Sequence, residues 1–130
     1  MKNLFKGFAL VEVVIVIVLL SGSLLVFLEA LSQAKSLQAK SEIITTQSIL
    51  LHDKINELKS INYMDITEQN NYMNFSNYPN YSFSFNVSYL NDNLDIVSLN
   101  TNMKRIDLNI KHNNSNYPLI RESFIISNMK

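Results

Sequence analysis

Along residues 8–28 the chain is apolar at nearly every position (FALVEVVIVIVLLSGSLLVFL), with one carboxylate, Glu12. A helix of that length rises about 1.5 Å per residue and spans ~30 Å, the hydrocarbon thickness of a bilayer. From Glu29 the pattern becomes amphipathic. Leu37, Ile44, Leu51 and Leu58 recur every seventh residue, and Leu31, Ile43, Leu50 and Ile55 widen the stripe. Lys35, Lys40, Glu42, Asp53, Lys54, Glu57 and Lys59 fall mostly away from it. No proline intervenes, so one helix is predicted from Phe8 to about Ser60.

Period two replaces the helical period further on. Tyr81, Phe83, Phe85, Val87 and Tyr89 alternate with Ser82, Ser84, Asn86 and Ser88, which predicts a half-buried strand. Leu94–Leu99 predicts a short second strand, Ile106–Ile110 a third and Leu119–Ser127 a fourth, while residues 63–80 read as a polar connection. No glycine follows Gly22, so asparagine is expected to carry the turns in the left-handed conformation it tolerates. The expected fold class is α+β: a long N-terminal helix on an antiparallel sheet of about four strands. Its segments are 1–7 (leader), 8–28 (spanning helix), 29–62 (amphipathic helix) and 63–130 (polar, strand-rich head).

Composition narrows the chemistry. Eleven basic and eleven acidic side chains cancel, so no electrostatic ground exists for a nucleic-acid partner. The absence of cysteine excludes disulfides, thiolate metal sites and cysteine nucleophiles. Two glycines and two histidines offer neither a phosphate-cradling loop nor a metal cage, so no enzyme, cofactor or metal is expected.

The front end is more specific. Lys2 and Lys6 precede the apolar run, which favours a cytoplasmic N-terminus and an outward head. The run is longer than the apolar core of a secretory signal peptide, and Ser21-Gly22-Ser23 lies within it as the expected place for a bend. A carboxylate in such a run costs about 2.5–3.5 kcal/mol on insertion scales, so Glu12 calls for a cationic partner. The segment Lys6-Gly7-Phe8-Ala9-Leu10-Val11-Glu12-Val13-Val14 resembles the processing motif of the type IV pilin-like family, which includes the pseudopilins of type II secretion. Ala9 and Val11 replace commoner residues of that motif, and the family's frequent proline further along the helix is missing. Residues 53–65 resemble, more weakly, the helix end of minor pilins and of a minor pseudopilin class.

The resemblance implies cleavage between Gly7 and Phe8 by a prepilin peptidase, N-methylation of Phe8, and pairing of Glu12 with a neighbouring subunit's N-terminal amine. The partners it implies are other pilin or pseudopilin subunits, an inner-membrane assembly platform, and membrane lipid before assembly. The reading is a structural filament subunit of a type IV pilus, type II secretion or competence system. The alternatives are a filament-tip binding module, either adhesin or DNA-uptake pilin, and a signal-anchored protein that never polymerises.

Other residues carry weaker signals. His52 and His112 have no second ligand at helical spacing, and Asp92, Asp95 and Asp107 lack the spacing of a calcium loop. Lys104-Arg105 reads as a solvated strand entry. Tyr72, Phe75, Tyr78 and Tyr81 form an aromatic approach to the sheet, suited to core packing or to a partner surface.

Overall fold

The structure, a computed structural model, describes residues 4–128, with side chains from Leu10 onward. One α-helix, α1, runs Leu4–Ser60, followed by a 3-10 turn at Tyr63–Asp65 and five strands: β1 Gln69–Phe75, β2 Tyr78–Leu90, β3 Ile96–Val97, β4 Met103–His112 and β5 Ile120–Ser127. The chain divides into a unit ending at Ala39 and a unit beginning at Lys40. The fold is α+β, as the two periodicities predict.

In the first unit the helix continues through Ser21-Gly22-Ser23. The Ser21 hydroxyl donates to the Ile17 carbonyl (2.7 Å) and the Ser23 hydroxyl to that of Leu20 (2.9 Å), which keeps both polar groups satisfied on an apolar rod. A Cβ at Gly22 would meet open space, so no close approach within the chain demands glycine.

In the second unit the sheet is antiparallel in the order β1-β2-β4-β5, with β3 pairing the end of β2. The central pair keeps one register from Tyr81↔His112 to Leu90↔Met103. Its apolar positions, Tyr81, Phe85, Ile106, Leu108 and Ile110, form the core with Leu50, Leu51, Ile55 and Leu58 of the helix. The buried helix positions Gln47, Leu51, Ile55 and Leu58 step by three or four residues, the spacing of one helical face, and Leu50 widens it beside Leu51. Leu31 and Leu37, placed on the same stripe by the sequence, belong to the first unit and are exposed, while the buried stripe begins in the second.

Three expectations change. Residues 63–80 are not merely a connection, since they hold β1 and the start of β2. As an edge strand β1 is held by its ladder to β2 and needs no apolar alternation; only its two ends, Gln69 and Phe75, are partly buried, with Phe75 4.9 Å from the Phe83 ring. The second predicted strand shrinks to Ile96–Val97 because Leu94 is spent in a tight loop. Finally, asparagine makes the turns through its side chain and not through left-handed backbone. Asn91 Oδ1 accepts from the amides of Asn93 (3.0 Å) and Asp95 (2.8 Å), and Asn114 Oδ1 from Asn116 (3.0 Å). Among the described residues the non-glycine position with positive φ is Leu94, at 67°.

Candidate functional site

The described part of α1 is long and apolar enough to cross a membrane, and none of residues 10–28 is buried. Val11, Val13, Val14 and Ile15 are each about half exposed around Glu12, which makes no hydrogen bond or ion pair among the described residues. Such a stretch of helix, apolar on every side, calls for apolar surroundings. The Gly7–Phe8 junction lies within α1 as backbone, whereas the Phe8 side chain and Met1–Asn3 fall outside the described residues. The structure therefore places Glu12 on an uncovered apolar surface and leaves its expected cationic partner outside its description.

The sharpest electrostatic feature is one the sequence misplaces. Lys104 is not solvated but 3% exposed. Its Nζ donates to the carbonyls of Tyr63 (2.7 Å) and Ile66 (3.1 Å) and lies 4.4 Å from the Tyr63 ring centroid. Among the described residues no carboxylate makes an ion pair with it, and burial pushes the ammonium pKa below its usual range, with the field of Asp65 opposing. Burial, aided by Tyr89, raises the Tyr63 hydroxyl, which donates to the Thr101 carbonyl at 2.6 Å. Lys104 and Tyr63 together pin the turn after α1 onto the sheet. A lysine at a strand entry gives no sequence signal of this, since its acceptors lie far away along the chain.

Arg105, by contrast, stays on the solvent side. Its guanidinium meets Asp107 Oδ1 at 2.9 Å, and the Ser123 hydroxyl donates to the same oxygen. Asp107 is thereby engaged on the sheet, and no group of three metal-ligating side chains forms among the described residues, Asp92 and Asp95 included. His52 is exposed on the helix. His112 Nδ1 accepts from the Asn114 amide (3.0 Å), and its ring lies edge-on between Tyr81 (4.9 Å) and Tyr117 (5.1 Å). Of the aromatic approach, Tyr81 and Phe75 pack inward, while Tyr72 and Tyr78 remain more than two-fifths exposed.

Gln47 is the polar member of the buried helix face. Its Nε2 donates to the Pro118 carbonyl (3.1 Å), which ties the β4–β5 loop to the helix, and its Oε1 has no partner among the described residues. The fold thus defines a membrane-span-length helix carrying an α+β head. No protein-family model matches the chain, and neither the curated proteins nor the solved structures contain a match to it.

Proposed function

We propose that the chain is a structural filament subunit of the type IV pilin-like class, a minor pilin or pseudopilin. The observation that carries the reading is the uncovered apolar stretch of residues 10–28 with one carboxylate, Glu12, that has no partner among the described residues. A prepilin peptidase cuts between Gly7 and Phe8 and methylates Phe8, and the mature chain waits in the inner membrane with its head outside. Assembly moves the span from lipid into a bundle of like helices. There a cationic N-terminal amine of a neighbouring subunit meets Glu12, and the pair neutralises two charges that neither lipid nor an apolar bundle accommodates alone.

Two measurements test this. Intact mass from a host with an active prepilin peptidase should show loss of Met1–Gly7 and gain of one methyl group; a full-length chain there overturns the processing step. Glu12→Gln and Glu12→Ala should leave insertion and head folding intact and sharply reduce co-assembly with the other subunits. Stranding one charge of a buried pair costs about 3–5 kcal/mol. Wild-type co-assembly of both variants would show that Glu12 is not the contact.

A further inference from the structure

The two ends of the head differ. At one end Gln47 meets Pro118, and at the other α1 terminates and the turn at Tyr63–Asp65 is held over Lys104. Large apolar side chains stand exposed at that second end. Leu99 is 78% exposed, the highest value among the described large hydrophobic residues, and Leu94, Ile96 and Met64 are each more than half exposed. Shallow cavities of about 280, 360 and 380 Å³ open there; the first two share Leu90 as a wall, and the third opens on the opposite, helix-packed face of the sheet, where Tyr89 and Lys104 line it.

The loop that presents Leu94 is built and not slack. Asn91 closes it with its carbonyl accepting from Leu94 N (2.9 Å), its amide donating to the Asp95 carbonyl (3.0 Å), and its Oδ1 accepting from two further amides. This closure holds Leu94 at φ 67°, a conformation disfavoured for a residue with a Cβ, with its side chain over the smallest cavity. Charge around these residues is mainly negative. Asp65, Glu68, Asp92 and Asp95 are exposed and none makes an ion pair among the described residues, while Lys104 is buried, Arg105 is committed to Asp107, and exposed Lys59 lies 5.6 Å from the Phe124 ring.

We propose that this end of the head is a docking surface for a protein partner that presents apolar side chains flanked by lysine or arginine. The apolar residues and cavities supply the contact area, and the carboxylates select the sign of the partner. They also disfavour an anionic lipid surface. The proposal is independent of the filament reading, because Glu12 takes no part in it.

The test uses the full chain in nonionic micelles and two labelled peptides, one alternating leucine with lysine and one alternating leucine with glutamate, with empty micelles subtracted. The lysine peptide should bind at least tenfold tighter than the glutamate peptide. Leu99→Ser and Glu68→Lys should each weaken it severalfold, and Glu12→Gln should leave it unchanged. Leu94→Gly is the guarded variant, since glycine accepts φ 67° without strain: the head should fold at least as well yet bind less. Equal binding of the two peptides, or full binding by Leu99→Ser and Leu94→Gly, overturns the proposal. Self-association of the full chain that Leu99→Ser abolishes would overturn it in favour of a second copy.

Discussion

Replacing Lys104 with methionine keeps most of the buried stem and removes only the ammonium. Two carbonyls, Tyr63 O and Ile66 O, then lose their donor inside the protein, at residues that are 6% and 4% exposed. Leaving a buried acceptor unsatisfied costs about 1–3 kcal/mol, so the gross loss is about 2–6 kcal/mol. Against it stands the relief of no longer burying a charge without a carboxylate partner, the same penalty that lowers the lysine pKa. The net expectation is a destabilisation of about 1–4 kcal/mol, read as a lower urea midpoint of the head with unchanged slope. Faster hydrogen exchange should appear at residues 63–66 before it appears in β2 and β4. Unchanged stability together with unchanged exchange at those residues would refute the pinning role.

The pH dependence supplies an independent check. The folded pKa of Lys104 lies below its unfolded value, so the unfolded chain binds more protons between the two, and stability rises with pH across that window. Lys104→Met lacks this contribution, so the gap between wild type and variant should widen as pH climbs toward about 10. Tyr63 acts in the opposite sense. Its raised pKa gives stability that is full below the ordinary tyrosine value of 10.0 and is lost as pH rises through the folded pKa. The Lys104 effect is therefore to be read below pH 10.0, before the tyrosine begins to offset it.

Leu108→Ala, at a side chain with no exposure between β2 and β5, should cost about 2–5 kcal/mol by cavity formation, measured by urea denaturation; a loss below 1 kcal/mol would contradict the core assignment. A chain starting at Glu29 should be water-soluble and show mixed helix and strand by circular dichroism, because the core residues all lie in the unit that begins at Lys40; membrane attachment of that piece would refute the division.

What the sequence announces follows from which constraints are local. The strict alternation of β2 and the stripe from Ile43 to Leu58 are legible because the large apolar side chains of each element turn to one face, and that face has one period. The burial of Ser82 and Ser84 on the other face of β2 is not legible, since small polar residues give no sign of it. β1 escapes because an exposed edge strand is held by backbone pairing, which leaves no mark on side-chain order. β3 is overpredicted because an apolar run cannot reveal that Asn91 bends the chain before Ile96. Lys104 and Gln47 are opaque for a different reason: both are buried beside carbonyls that only the tertiary fold brings near. Glu12 is conspicuous because its neighbours along the chain already define an apolar surrounding, and its partner is what the chain alone leaves open.

That asymmetry bears on what drives the proposed assembly. Residues 10–28 are uncovered on all sides, so they require surroundings that are apolar on all sides, which lipid and a helix bundle supply equally well. Lipid tails are as apolar as leucine, so the apolar side chains contribute only packing differences to the choice between the two. Glu12 is the position where the two environments differ in kind. In lipid it has water and headgroups only near the span's end, whereas in a bundle it can meet a fixed cation in a dry surrounding. On this argument, the preference for the filament should depend on the state of that one carboxylate far more than on any neighbouring valine. Val14→Ala should then leave co-assembly near wild type under conditions in which Glu12→Gln abolishes it. Equal losses from the two substitutions would show that packing, and not charge pairing, governs the transfer.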